Sequence, residues 1–584
     1  MKAGEGRYAA ARNLVNVNGL ECPLLEVDMI RTILGILILA AAPALAQTPN
    51  HKHYADSPDA EKPGPGGELA PRLQNLGAHV FPVTTKSRKA QLFMSQGLNL
   101  AYGFNHAEAG RAFREAARLD PGCAMAYWGQ AFVLGPNINV PMSADDEPKA
   151  YEAAQKAVSL KAKASPRERA YIDAVARRYS GKAADRSAGD HAFAAAMKDV
   201  VRRFPADLDA ATIYAESLMD LRPWNYWTPD GRPYEETPEI VGTLEKVLAR
   251  SPNHPGANHL YIHAMEATKQ PEKAEAAADR LLKLMPGAGH IVHMPSHIYQ
   301  RVGRYADAAA SNDLAIKADE DYITQCRAQG LYPMVYYPHN IHFLWYAATA
   351  EGRSQVAIDA ARKMASQIDE KALDALPLTA AFKVVPYYAL ARFGKWDEVL
   401  AEPAPADRHV YLTGVWHYAR GLALSAKGRM DEADKELAEV RRIAADPALN
   451  YSLLSPNTAA AVFATAPEVL AGDIAAKRKD WDAAIAHLER AVRLEDSLVY
   501  TEPEEWHYPS RQALGAVLLE AGRAREAETV YWDDLRRHAN QGWSLFGLAE
   551  ALRAQGKKDE AAAVQGRFDK AWARADVKLT ASRF

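Results

Sequence analysis

An internal period constrains this chain more than any other feature. Phe93, Gly97, Ala109, Phe113, Ala116 and Pro121 fall in the order and spacing of a roughly 34-residue helix–turn–helix unit, with Pro121 closing it. The same frame recurs in GRYADAAASNDLAIKAD (Gly303, Tyr305, Ala308, Ala315), GKWDEVL (Gly394, Trp396) and GRMDEADKEL (Gly428, Ala433). It continues in KDWDAAIAHLERAVRL (Trp481, Ala484, Ala491), GRAREAE (Gly522, Ala527) and GKKDEAA (Gly556, Ala561). At the eighth position, where two helices must pack closely, stand Gly97, Gly421, Gly472, Gly515 and Ala549; one repeat departs, with Tyr387 there. Two antiparallel helices cannot bury an apolar face alone, so units of this kind have to stack on one another. Strands have no support, because β-branched alternation is scarce.

The pattern resembles the tetratricopeptide repeat (TPR) family over roughly residues 90–575. The resemblance implies an all-α fold, a right-handed superhelix or α-solenoid of about ten helix–turn–helix repeats, spanning 89–575 with a tail at 576–584. It also implies a concave groove lined mainly by the second, fifth, ninth and twelfth positions of each first helix. A protein, a peptide or a small-molecule ligand in that groove is the expected partner. Three stretches break the period: GPNINVPMSADDEP after Leu134, LRPWNYWTPDGRPYEETPE from Leu221 to Glu239, and an insertion near Tyr322 to Tyr337. Insertions in such arrays map to loops on one face, often the binding face. The aromatic run Trp224, Tyr226, Trp227 therefore either lines a ligand site or plugs a gap between repeats.

Seventy basic against seventy-three acidic side chains, a net charge of -3, leave no footprint for nucleic acid or an anionic membrane. Phosphate-binding glycine loops, a Cys-x-x-Cys-His haem motif, a Gly-x-Ser-x-Gly elbow and a His-Glu-x-x-His helix are all missing. From Met29 the chain reads MIRTILGILILAAAPALAQ, which is the pattern of a secretory signal peptide over 29–46, cleaved after Ala46. Its apolar run is too short for a bilayer core of about 30 Å, so no membrane span is expected once the signal is removed. Residues 1–28 do not belong to such a signal, which makes Met29 the expected start and leaves Cys22 out of the mature chain. The protein is expected in the periplasm or secreted, and whether Cys123 and Cys326 pair there stays open. Residues 47–88, rich in Pro, Gly, His and Asp, are expected to be flexible.

Eight of the eighteen histidines lie between His254 and His342, spaced three or four residues apart as on single helix faces. In the repeat frame His259, His263 and Glu266 take positions five, nine and twelve of one first helix, and His290, His293 and His297 take two, five and nine of the next. His339, His342 and Tyr346 take two, five and nine of a third, while His254 falls in an inter-repeat loop. Three successive helices thus aim imidazoles at one groove, which makes His259, His263, Glu266, His290, His293, His297, His339 and His342 candidate ligands for a transition metal ion. Imidazole with a carboxylate and no thiolate suits copper, zinc or iron and disfavours Cu(I) or a closed structural zinc site. Seven imidazoles exceed one tetrahedral ion, which leaves room for two. Pro295 should kink the middle helix and turn His297 relative to His290. Arg301 and Tyr346 are candidate ligand-binding residues at the groove. Asn258, Asn312 and Asn340 either orient an imidazole N–H or cap helices. A non-enzymatic scaffold with a polar, histidine-shaped groove competes with the metal reading.

Overall fold

A computed structural model describes residues 63–64, 66–182, 186–228, 230–326, 332–453 and 456–584. The expected leading extension at 1–28 and signal peptide at 29–46 lie outside the described residues. Among the described residues the chain is all-α, an α-solenoid of stacked antiparallel helix pairs with no β-strand beyond isolated bridges.

The repeat frame corresponds to two packing devices. The recurrent glycines Gly303, Gly394, Gly428, Gly522 and Gly556 occupy the turn between paired helices with φ of 78, 65, 73, 77 and 74°. Only glycine takes that left-handed turn without cost. Two repeats put another residue at the same place, two before the second helix: Phe104 at φ 55° and Lys479 at φ 61°. The second device is the small eighth residue. Gly97 and Gly129 both abut the ring of Phe113, and Gly515 and Gly547 both abut that of Tyr531. One aromatic of a second helix thus wedges between two first helices, and a Cβ at any of these glycines would strike it. The core that results runs through the array with Trp128, Trp345, Trp506 and Trp543 fully buried.

Of the stretch expected to be flexible, the part beyond Leu69 is irregular in backbone but held in place. Phe81 is fully buried, Gln91 and Gln96 accept the amides of Val83 and Leu73, and Glu168 binds Thr84. The run Ala459–Lys477 is long and apolar enough to cross a membrane, yet 61% of it is buried inside the array. Cys123 and Cys326 are both buried free thiols.

The array also packs on itself. Trp572 lies against Gly352, Trp543 donates its Nε1–H to Thr349 O at 2.9 Å, and Gly303 faces Ala539. Asp576 caps the helix Ser354–Ser366 by accepting the amides of Ser354 and Gln355 at 2.7 and 3.0 Å. The loop between the helices Trp481–Asp496 and Ser510–Glu520 reaches His297. The groove face that carries the histidines is therefore covered rather than open.

Candidate metal centre

Local chemistry places the imidazoles. The helix Pro255–Met265 begins with Pro255 in its first turn and His254 as N-cap, whose Nδ1 accepts the Ala257 amide at 3.2 Å. His259 and His263, one turn apart, then share a face. Pro295 breaks the next element at Met294 into Gly289–His293 and Pro295–Arg301, since a proline there supplies no backbone N–H. The break turns His297 so that its Nε2 stands 2.9 Å from Nε2 of His293. Gly289 opens that element because Asp319 fills the space a side chain would need. The helix Tyr337–Ala350 supplies His339.

His259, His263 and His290 form a first group whose donor atoms all lie within 4.8 Å of one another. His259 Nδ1 donates to the carbonyl of Tyr102 at 2.6 Å and His263 Nδ1 donates to Glu266 Oε1 at 3.0 Å. Each ring is thereby locked in the tautomer that leaves Nε2 as a bare lone pair. Both Nε2 atoms, and both ring nitrogens of His290, are buried without a hydrogen-bond partner. Burial, reinforced by the neighbouring imidazoles, pushes the His259 and His290 pKa well below the usual value, so both rings stay neutral. A buried, unpaired acceptor is costly, and three in one place are what a bound cation would satisfy. A metal at about 2.0–2.1 Å per nitrogen needs donors roughly 3.4 Å apart, within small rotations of this arrangement.

His293, His297 and His339 form a second group, again within 4.8 Å. His293 Nδ1 donates to Asn312 Oδ1 at 2.7 Å, and Asn312 is itself fixed by donating to Ala308 O at 2.7 Å. Nε2 of His293 is then a lone pair aimed at His297. Oxygens of Glu266 and Glu502 stand 2.7 and 2.9 Å from His297 Nδ1, off the line of its N–H bond. Burial opposes a charge on His297, but the two carboxylates outweigh it and raise its pKa to about 9. Burial likewise works against Glu266, yet His263 and His297 hold it down to about 2; burial lifts Glu502 to about 7. With His297 protonated at both nitrogens, its Nε2–H points to the bare Nε2 of His293. Glu266 touches Nδ1 of His263 with one oxygen and Nδ1 of His297 with the other, so it ties the two groups together.

Each group is backed by one phenylalanine. Phe104 has its ring 4.5, 5.7 and 5.6 Å from those of His259, His263 and His290, and Phe343 lies 4.6, 4.5 and 5.0 Å from His293, His297 and His339. All three period-breaking insertions converge on the first group. Trp224 sets its ring edge-on to His263 at 5.2 Å, Tyr336 lies 4.9 Å from His290, and Asn139 donates to Tyr336 Oη at 3.2 Å. Trp224 is 38% exposed and His339 partly so, and both mark the centre's edge toward solvent.

Other candidates stand elsewhere. His342 stacks on Trp345 at 5.2 Å and joins neither group. Arg301 donates to Thr268 O at 3.0 Å and lies 5.3 Å from the Tyr500 ring, while Tyr346 is buried on the helix Tyr337–Ala350. Asn258 bonds Pro252 O and His254 O, and Asn340 bonds Asp319, so of the three asparagines Asn312 is the one that orients an imidazole. Glu502, Phe104 and Phe343 went unread in the sequence, since nothing local ties a loop glutamate to a helix some two hundred residues away. A further cluster, His79, Asp209 and His254, is a hydrogen-bond hub instead. His254 Nδ1 already accepts a backbone amide, so its Nε2 carries the proton and offers no lone pair. The hub supports the centre through Tyr102, whose hydroxyl donates to Asp209 at 2.7 Å while its carbonyl holds His259.

No protein-family model matches this chain, and no curated protein matches it in sequence. Among solved structures, the human IFIT1 dimer with m7Gppp-AAAA is similar at 14% identity over 84% of this chain and 92% of that one, with a TM-score of 0.31. The APC/C hetero-tetramer Cut9–Hcn1 stands at 13% over 84% and 78%, with a TM-score of 0.29. The P58(IPK) TPR domain stands at 13% over 81% and 99%, with a TM-score of 0.22. Likenesses this distant carry no argument about what the chain does. The helical-repeat architecture rests on its own helices.

Proposed function

We propose that this chain is a transition-metal protein whose repeat array holds two ions side by side, one on His259, His263 and His290 and one on His293, His297 and His339. The observation that carries the reading is the first group: three buried, neutral imidazoles, of which His259 and His263 have committed Nδ1 protons and bare Nε2 lone pairs, while His290 has no partner at either nitrogen. Three protein ligands per ion leave a coordination position open, as in catalytic rather than structural sites. Bound copper, zinc or iron would supply Lewis-acid activation of water or a small substrate there. The chain's own residues supply the rest. Tyr102, Glu266 and Asn312 fix ring tautomers, Phe104 and Phe343 exclude water behind the ligands, and the Glu266–His297–Glu502 set holds a proton beside the centre. Glu266 serves in this arrangement by orienting two imidazoles rather than by binding metal.

The repeat scaffold supports a protein- or ligand-binding role in general. With the histidine face covered, a macromolecular partner has the outer helices to bind, whereas a small molecule would approach the centre at its partly exposed edge, Trp224 and His339.

Elemental analysis of protein purified without a histidine tag tests the reading, with about two equivalents of metal expected per chain. Less than about 0.2 equivalents after reconstitution overturns it. His263→Ala and His297→Ala should each lose about one equivalent, and His342→Ala should lose none. Export through residues 29–46 belongs to the same proposal: the mature N-terminus in a bacterial host should be Gln47, and an intact Met29 in the secreted fraction would rule cleavage out.

A further inference from the structure

A cavity of about 30 Å³ lies among the C-terminal repeats, apart from the histidine centre, and Arg392, Asp473, His507, Tyr508 and Arg583 contribute to its lining. It has room for about two waters or one small ion.

Its polar lining is not fully paired. Arg392 is 5% exposed, and among the described residues no carboxylate pairs with it. Its guanidinium lies 3.5 Å from the Trp543 ring centroid and 4.6 Å from that of Tyr508, with Nη1 and Nη2 donating to Ser582 O and Gln512 Oε1 and Nε left without a partner. Asp473 does not serve Arg392, because its two oxygens are taken by Arg583 and by Ser425. Arg583 pairs also with Glu520, and its own Nε is buried without a partner. His507 stacks flat on Tyr388 at 4.1 Å and meets Tyr418 Oη through Nε2 at 3.2 Å, which leaves Nδ1 unpartnered. Three buried nitrogens without partners, two of them on guanidinium groups, thus belong to residues that line one small cavity.

Ring stacking offsets part of the cost of burying a cation, but an uncompensated guanidinium calls for a counter-charge. Burial pushes Arg392 down to about 9, and burial together with Arg392 holds His507 well below its usual range.

We propose that this cavity binds a small monovalent anion, a halide or a short carboxylate, bounded by the Arg392 guanidinium, Arg583 Nε and His507 Nδ1. Chloride or formate fits the volume, and a doubly charged or bulky anion does not. The site is independent of the metal centre, so either can fail without the other.

The test uses the full chain dialysed into sodium gluconate, whose anion is too large to enter. Chloride, bromide and formate are titrated at constant ionic strength while the thermal midpoint is followed. A saturable rise with at least one of them is expected; saturation by halides or by formate alone identifies the source. Arg392→Met should abolish the rise, and His507→Phe, which keeps the ring on Tyr388 but removes the donor, should weaken the half-saturating concentration by about tenfold. If Arg392→Met does not fold, the His507→Phe titration decides. No anion-dependent rise in the native chain up to about 100 mM, or an undiminished rise in the variants, overturns the proposal.

Discussion

Phe104 shows how a single residue can break the repeat rule for the sake of the site. At its turn position most repeats carry a glycine at positive φ, whereas Phe104 sits at φ 55° with its ring against three imidazoles. A left-handed backbone costs a non-glycine residue about 1–2 kcal/mol, and such strain persists where the surroundings require it. Removing the ring should therefore reverse the usual order of small substitutions. Phe104→Gly is expected to be more stable than Phe104→Ala by about 1 kcal/mol in urea denaturation, although both lose the ring's packing. The opposite order would mean that the turn carries no strain. None of this was legible from the residue alone: GFNHAEAG shows a turn, but not which ring system the phenylalanine faces.

At the scale of elements, the close approach of paired helices depends on the eighth position. Gly515 has the Tyr531 ring where its Cβ would go, and that tyrosine is pinned by a hydrogen bond to Ser582 at 2.6 Å. Gly515→Ala should cost about 1–3 kcal/mol by overpacking. Gly566, inside the helix Lys558–Ala571 with open space around it, should respond in the opposite direction, with Gly566→Ala gaining about 0.5–1 kcal/mol from helix propensity. Denaturation midpoints of the two variants, moving to opposite sides of the native chain, are the check. The period made the frame and the glycine positions readable, because spacing within a helical hairpin is a local property. The break at Pro295 was readable too. That it would bring two Nε2 atoms to 2.9 Å was not, since the approach depends on rotation about Met294.

For the whole molecule, the buried histidines make acid the condition to avoid. Burial lowers the pKa of His259, His290, His293, His339 and His507 well below the usual value and that of His342 to about 3. Below about 6.5 the unfolded chain takes up protons that the folded chain refuses, so their stabilisation is complete above that pH and is lost as pH falls toward the folded values. His297, raised to about 9, has the opposite sign: its contribution is whole below 6.5 and fades as pH climbs through 9. Metal-free protein should lose stability by up to about 1.4 kcal/mol per pH unit for each depressed histidine between pH 6.5 and 5.5, measured by urea denaturation. A flat profile over that range would show that these rings are not held neutral. The amino-acid sequence by itself determined the helical repeat, its turns and which helix faces carry imidazoles, since all three follow from spacing along one or two helices. Tertiary structure alone divided seven candidate imidazoles into two groups of three, excluded His342, brought Glu502 to His297 and covered the groove. Those outcomes depend on contacts between residues far apart in the chain, where packing decides and local pattern has no say.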